Sequence, residues 1–587
     1  MKTRIIFVLF FATVIFVHLK PISDPDLFWH MATGRWIWEH GQLPDSDPFN
    51  YTTAIKAYEE SSMAGVVSRQ YWLADLLQYG ACNVLGYAGL LCLRIFFALL
   101  TMLMAYLSAR KKGLSVIASL LLIVPVGSVV ASFAGDRPNQ MTFFFLAAFL
   151  YLVEHLKRLP RFSAAFGLPL LMLFWANLHG GFIFGAAIAG IYLAAELLRT
   201  LFVGRHTGNR KLIIVLALTI LTGFLNPNGY NVIRALIQES SPFQKSSITE
   251  FWSPFTFIGF GTYHYAVELF AFVSVACISV ILCVIAGRKP LLTSLVEQTE
   301  YIVLIVFFGL ISCTAVRFIP LLAIALTPII GTMLSASSNP TAQALSRFMI
   351  PEAALVCVLA YGAWSAYPLT VLGKPLVGDF FPEQAVTFIK NNKLQGRLFN
   401  FYDWGGFLIW RFYPDKVVFV DGRGLSQRAL FQYFSVIGAD RSKIAGVPVY
   451  QAVLDAYSIQ TILIPGTERN GGLVPLIALL ENDPAWRLVF YFKNCLLYTR
   501  ETSLKDFPKI TAYAIAMESA SASLGDDPRP YLAIARANLG LGRWDDASAF
   551  LAGALAKKPS LKGGPVDKAL RLIHDGKDIL REDTGLP

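Results

Sequence analysis

Apolar residues in this chain come in long unbroken runs, not in the narrow stripes of a soluble helix. Runs near 4–19, 89–108, 114–134, 141–157, 162–176, 181–201, 212–226, 265–286, 300–316, 318–335 and 350–367 approach the ~20 residues that cross about 30 Å of hydrocarbon. They predict an α-helical polytopic membrane domain over residues 1–367, with about eleven transmembrane helices. No small-x-small cleavage site follows the first run, which therefore reads as a retained helix and not a removed leader.

Charge tests the threading independently, because Lys and Arg collect in cytoplasmic turns. With Lys2 and Arg4 inside, the clusters Arg110-Lys111-Lys112, Lys157/Arg158/Arg161, Arg205/Arg210/Lys211 and Arg288-Lys289 all fall on that same side. The N-terminus is then cytoplasmic, and everything after about 368 is extracytoplasmic, which for a bacterial inner membrane means periplasmic.

Past 368 the pattern shortens. Candidate strands at 397–401, 416–422, 461–466 and 487–500 alternate with helical segments near 382–392, 425–437, 447–457 and 473–482. This predicts a small α/β domain over 368–505. From 506 to 587 the chain reads as helical, and 530–559 resembles a tetratricopeptide repeat in its Gly-x-Trp turn and Ala/Leu spacing. Such a tail suits a docking element for a protein partner.

Composition agrees: 55% of the 587 residues are hydrophobic and 15% charged, against about a quarter charged in a soluble protein. The net charge of +11 sits in the short topology clusters and not on one binding face, which argues against nucleic acid. The seven cysteines form no CxxC pair, and only Cys495 lies in the tail, so neither a zinc site nor a disulfide framework is indicated.

The polar turns carry the candidate chemistry, and they gather on the outer side. The first loop, 20–88, opens with Asp24 and Asp26, followed by His30 and Arg35 within a Trp-rich amphipathic stretch, Leu27–His40. A second such stretch covers Tyr71–Leu85. Both suit helices lying in the membrane interface. Later outer turns present GDRPNQ with Arg137, WANLHGG with Asn177 and His179, NPNGYN with Asn226, TEFWSPF with Trp252, and Arg317.

Two readings stand for Asp24 and Asp26. They cap the following helix, or they form a carboxylate pair that serves as base for a hydroxyl acceptor. Asp24, Asp26 and His30 would also be the ligands if a divalent cation takes part. Arg137 and Arg317 read equally well as interface anchors and as phosphate ligands. In the tail, Trp404, Asp421 and Arg423 follow predicted strands; they line an acceptor site, or the Asp–Arg pair is structural.

With these residues in place, the chain resembles the GT-C superfamily of polytopic glycosyltransferases, whose first outer loop carries an acidic residue just after helix 1. More closely it is similar to a group of bacterial membrane proteins sharing the opening Asp24-Pro-Asp26-Leu-Phe-Trp29-His30-Met-Ala-Thr33-Gly34-Arg35-Trp36. That group also shares Asp47-Pro48-Phe49, Asn177-Leu-His179-Gly-Gly, Asn226-Pro-Asn-Gly229, Tyr402-Asp-Trp404-Gly-Gly406 and Val420-Asp421-Gly-Arg423. Phe28 stands where Trp is commoner.

The resemblance implies transfer of a sugar from a polyprenyl-phosphate carrier to a glycan, lipid or protein acceptor at the periplasmic face. Asp24 or Asp26 would be the base, and Arg137, His179 and Arg317 would hold the donor phosphate. His30, Arg35, Asn177, Asn226, Trp252, Trp404, Asp421 and Arg423 would be substrate contacts. In that superfamily the first-loop acid is either the base or a ligand of an essential metal, so the resemblance leaves a divalent cation open and implies no other cofactor. The competing class is a non-catalytic envelope scaffold or a transporter of the same fold. A transporter would place polar or broken helices at mid-membrane, which the sequence lacks.

Overall fold

The computed structural model describes residues 2–53, 60–133, 135–158, 166–203, 209–233, 249–259, 299–336, 380–467, 474–501 and 544–574, with isolated positions between them. The chain divides into two compact units: 1–46 with 62–378, and 47–61 with 379–587.

In the first unit the apolar runs become helices: α1 (Lys2–His18), α2 (Asp26–His40), α3 (Glu60–Gln70), α4 (Trp72–Leu85), α5 (Tyr87–Lys111) and α6 (Val116–Phe133). They continue as α7 (Asn139–Arg158), α8 (Gly167–Leu178), α9 (Phe182–Leu198), α10 (Arg210–Thr222), α11 (Thr299–Thr314) and α12 (Ile319–Ala336). Among the described residues four helices are long and apolar enough to cross a membrane: Tyr87–Lys111, Val116–Phe133, Phe182–Leu201 and Val316–Ser335. Thr3–His18, Gly167–Leu178 and Thr299–Thr314 are shorter apolar helices. The span expected at 265–286, and nearly all of the one at 350–367, lies outside the described residues. Phe149, Trp175, Tyr192, Phe308 and Leu146 are fully enclosed between these helices.

The first loop folds onto the bundle. Helix α2 starts where Pro25 presets the backbone and stops at Gly41, whose left-handed φ of 66° lets its N–H reach the Ile37 carbonyl. Its apolar residues Leu27, Phe28, Trp29, Met31 and Ile37 are buried. The face expected to lie among headgroups is thus largely covered by protein, although Trp38 remains exposed. Gly34 explains how α2 and α4 come so close, since any Cβ there would overlap the Asp75 backbone carbonyl. Gly34→Val should therefore destabilise the protein by ~1–3 kcal/mol, read as a lower thermal midpoint in detergent.

The basic residues expected to be simple topology anchors do more than that. Lys112 Nζ lies 2.7 Å from Glu154 and 2.6 Å from the Tyr301 hydroxyl, while Tyr192 donates to Glu154 at 2.6 Å. Fully buried Glu300 pairs with both Lys157 and Arg199. These ties fasten the ends of α5, α7, α9 and α11 at the opposite end of α7 from Arg137, and a charge buried there is tolerated because it is paired.

The second unit is built on a four-stranded mixed sheet of order β1-β4-β6-β5, where β1 is Arg397–Asn400, β4 Ile459–Pro465, β5 Arg487–Phe492 and β6 Cys495–Thr499. Strands β1 and β4 run parallel, and β6 is antiparallel to β4 and β5. A short hairpin, β2 (Lys443–Ile444) with β3 (Val447–Pro448), stands apart from it. Helix α13 (Glu383–Asn391) precedes β1, and α14 (Gly405–Phe412), α15 (Gln427–Ile437), α16 (Val449–Ala456) and α17 (Pro475–Leu480) lie between the strands in sequence. Ser426 caps α15 by accepting from the Ala429 N–H.

The strand expected at 416–422 does not form. Its backbone groups are taken by other partners: Val418 bonds Phe49 and Tyr51, the Thr52 hydroxyl reaches the Phe419 carbonyl, and the buried Asn400 amide spans Phe419 and Val420. First-loop residues 49–52 thus fill the place of a neighbouring strand. Further on, α18 (Trp544–Lys557) and α19 (Pro565–His574) pack through Leu551, Ala554, Val566 and Ala569. Most of 506–543 lies outside the described residues.

Candidate functional site

The turn between α1 and α2 carries both first-loop carboxylates. Asp24 Oδ1 accepts the Asp26 N–H at 3.1 Å, a local turn bond just before α2, whose N-cap position is Pro25 and carries no side-chain cap. Its other oxygen, Oδ2, lies 2.8 Å from Arg137 Nε. Arg137 Nη1 also donates to Asp26 Oδ2 at 2.9 Å and to Glu250 Oε1 at 2.8 Å. One guanidinium therefore gathers three carboxylates, two from the α1–α2 turn and one from the turn that carries Glu250. It keeps 28% of its side-chain surface exposed and Glu250 keeps 36%, so the cluster is open to a ligand. Gly135 is needed here, because a side chain at that position would run into the Asp24 carboxylate.

The electrostatics follow from burial and charge count. Burial pushes the Asp24 carboxyl up, and Glu250 adds repulsion, while Arg137 pulls the other way without winning. Burial acts on Glu250 too, but Arg137 and then Arg317 outweigh it and hold that carboxyl low. Arg137 is kept firmly charged, its burial offset by Asp24, Glu250 and Asp26.

Behind the cluster, Arg94 pairs with Asp136 and donates to the carbonyls of His18 (3.1 Å) and Lys20 (2.8 Å). Gln78 donates to the Asp136 carbonyl at 2.7 Å. The end of α1 and the turn that presents Arg137 are thereby fixed together. Burial raises Asp136 to about 6 even with Arg94 beside it.

The NLHGG turn closes another side. His179 Nδ1 lies 2.9 Å from the Gly181 N–H and 2.7 Å from the Thr142 hydroxyl, which itself accepts from Trp175 Nε1 at 2.9 Å. Burial, and after it the charges of Arg317 and Arg137, lower its pKa to about 3. Arg317 lies over the Phe251 ring at 4.8 Å and is exposed. Among the described residues no carboxylate pairs with it. Trp252 is half-buried, and its carbonyl accepts the Val316 N–H.

Of the residues singled out in the sequence, Asp24, Asp26, Arg137, His179 and Arg317 are thus linked by contact or by mutual charge. Others are engaged elsewhere. His30 is buried, stacks on Trp29 at 3.5 Å and bonds Asp75 Oδ1 at 2.6 Å. Among the described residues no three Asp, Glu, His or Cys side chains are grouped to hold a metal ion, so the set Asp24, Asp26 and His30 does not assemble as ligands. Arg35 pairs with Glu39 one turn along its own helix.

Asn177 accepts from Trp72 Nε1 and donates to the Leu173 and Leu225 carbonyls. Asn226 spans Gly223 and Asn228 within its own turn. Asn228 in turn donates to Val66 and Gln70, and Gln70 to Ala176. These two motifs therefore anchor α3 and α4.

In the second unit Trp404 is buried and donates to the Phe380 carbonyl. Arg423 is enclosed with Asp47 (2.9 Å), Asp421 (2.8 Å) and Asn50 (3.1 Å). Sequence reasoning passed over Glu250, Asp136, Arg94, Asp75 and Thr142. Glu250 was the accessible one, two residues from Trp252 in a turn already singled out.

No family model matches the chain, and no curated protein matches it. Solved structures do. The archaeal oligosaccharyltransferase AglB from Archaeoglobus fulgidus, in complex with an inhibitory peptide and a dolichol-phosphate, aligns at TM-score 0.50 and 10% identity, covering 95% of this chain and 86% of that one. The arabinofuranosyltransferase AftD from Mycobacteria aligns at TM-score 0.51 and 14% identity, covering 86% of this chain but only 42% of its own. At this identity the likeness is one of fold alone.

Proposed function

We propose that the protein is a membrane glycosyltransferase that moves a sugar from a polyprenyl-phosphate carrier to a hydroxyl acceptor. The observation that carries this reading is the gathering of Asp24, Asp26 and Glu250 on Arg137, beside the exposed Arg317. Acid–base chemistry and phosphate neutralisation are thereby available within one cluster. The shared fold with two named glycosyltransferases, one of them bound to a dolichol-phosphate, adds support.

In a single displacement, the acceptor oxygen bonds to the anomeric carbon as the bond from that carbon to the phosphate oxygen breaks. The acceptor proton passes to Asp24, and the carrier phosphate leaves with the electron pair. Burial that raises Asp24 improves its strength as a base. Arg137, already engaged with three carboxylates, organises them, and Arg317 meets the leaving phosphate.

The same reading places the cluster on the periplasmic side of an eleven-helix inner-membrane domain, 1–367. An acceptor-side α/β domain, 368–505, and a tetratricopeptide-like tail, 506–587, follow it. The test is direct. Purified protein with a radiolabelled polyprenyl-phosphate sugar should release or transfer the label, and alanine at both Asp24 and Asp26 should abolish this. Transfer by the double variant at the wild-type rate would exclude the reading.

A further inference from the structure

His179 holds a position that its usual role as a cation does not explain. Its Nδ1 faces two donors, the Gly181 N–H at 2.9 Å and the Thr142 hydroxyl at 2.7 Å. A backbone N–H can only donate, so Nδ1 carries no proton. Thr142 already accepts the Trp175 indole N–H on its oxygen, which leaves its own hydroxyl proton to point at Nδ1. The ring is therefore neutral, with its proton on Nε2. Gly181 makes the arrangement possible: a Cβ there would come within 2.8 Å of Thr142 Cγ2 and 2.9 Å of the imidazole nitrogen.

Among the described residues no group accepts the Nε2–H, while the charges that bear on the ring are those of Arg317 and Arg137. Tyr71 flanks the ring, 5.4 Å between centroids. We propose that His179 gives its Nε2–H, as a fixed and uncharged donor, to the phosphate of the polyprenyl carrier, alongside Arg317. This rests on the glycosyltransferase reading and specifies how the donor is held.

Neutrality matters because of what lies nearby. An imidazolium at this position would add a third positive charge next to the guanidiniums of Arg317 and Arg137. A neutral N–H adds no charge to that pair. It still gains strength as negative charge builds on the phosphate oxygen during bond breaking, because it is already oriented.

The experiment measures binding of undecaprenyl phosphate, without sugar, to full-length protein in nanodiscs from pH 5.5 to 8. The variants are His179→Ala, His179→Gln and Thr142→Val. The readout is the ratio of variant to wild-type Kd at each pH, which cancels titration of the phosphate itself. Alanine should weaken binding about 10- to 100-fold, as expected for loss of a hydrogen bond to a charged group, and the ratio should stay flat with pH. Glutamine, whose amide can present an N–H at the same reach, should recover part of the loss. Thr142→Val, which frees the ring without removing it, should give an intermediate loss.

A ratio that falls toward one as pH rises would mean that an imidazolium binds, overturning the proposal while the carrier reading stands. Unchanged affinity in both the Ala and Gln variants would also overturn it. Wild-type protein that binds no carrier at any pH would remove both the proposal and the reading beneath it.

Discussion

Asp24→Asn is expected to slow sugar transfer by about 10²–10⁴-fold, the usual contribution of a positioned general base, with carrier binding changed by no more than about twofold. Asparagine keeps the oxygen that accepts the Asp26 N–H, so the turn before α2 keeps its local bond. It removes only the charge facing Arg137 and the ability to take a proton. Because burial raises the Asp24 carboxyl, the wild-type rate should fall on the acid side at a pH above that of an ordinary aspartate. A base must be deprotonated to act, so the rate rises with pH through that titration. The Asn variant should lose this acid limb altogether.

Asp26→Asn should cost less, about tenfold. Its charge is one of three on Arg137, and Asp24 and Glu250 remain to hold the guanidinium. Initial rates with labelled carrier across pH 4–8, for both variants, decide between them. An Asp24→Asn enzyme retaining more than a tenth of the rate, or an Asp26→Asn enzyme that is the slower of the two, would move the base elsewhere.

The second large effect lies in the other unit. Arg423→Ala should destabilise it by ~3–5 kcal/mol, the typical cost of stripping one partner from a buried ion pair. Arg423 is enclosed with Asp47 and Asp421, whose side chains have no exposure. Its removal leaves two carboxylates buried against each other. Asp47→Asn should cost far less, about 1 kcal/mol, near the net worth of an ordinary hydrogen bond, because the cluster holds one negative charge too many.

The pH dependence separates the two acids. Burial acts to raise Asp421, but Arg423 overrides it and holds the group low. Its stabilising contribution is present above the ordinary aspartate range and is lost as pH falls. Asp47 is raised by burial in spite of Arg423. It therefore stabilises the unit in acid, and that contribution is lost as pH rises through its titration. The deficit of Asp47→Asn relative to wild type should accordingly shrink toward neutral pH. Thermal unfolding with limited proteolysis as the readout tests both variants. An Arg423→Ala protein as resistant as wild type would contradict the buried-charge argument.

Much of this was legible in the sequence, for identifiable reasons. The alternation of basic clusters and apolar runs, and the Trp-rich stretches after Asp24, depend on local periodicity, and α2 and α4 begin and end within a residue or two of the expected places. The strands at 397–400, 459–465 and 487–499 were readable as short β-branched and aromatic runs between turn residues. The run at 416–422 looked the same, yet its partners are Asn400 and the distant residues 49–52, which no local pattern reveals.

The candidate site divides in the same way. Asp24, Asp26, Arg137, His179 and Arg317 were readable as polar residues at turns expected on one side, and Arg137 does meet Asp24 and Asp26. Which polar residues stay available was not readable in this way. Asn177 and Asn226 are consumed by backbone carbonyls and N–H groups, and His30 by Asp75. Glu250 joins only because its turn brings it to Arg137 across 113 positions of chain. Hydrogen-bond occupancy is a property of the packed state, and residue type alone does not encode it.

The insertion of residues 47–53 into the second unit bears on how the protein is made. Asp47 and Arg423 are 376 positions apart. At about 5–20 residues per second of synthesis, the early segment emerges roughly 20–75 s before its partner exists. During that interval Phe49, later buried to 2% exposure, and the charge of Asp47 have no native surroundings. The tail expressed from 379 onward lacks the strip that satisfies Val418 and Arg423, so it should be recovered soluble only when a peptide spanning 47–53 is supplied with it. Folding of the second unit therefore waits on two stretches made far apart in time, and the early one must be kept from other partners until the later one arrives.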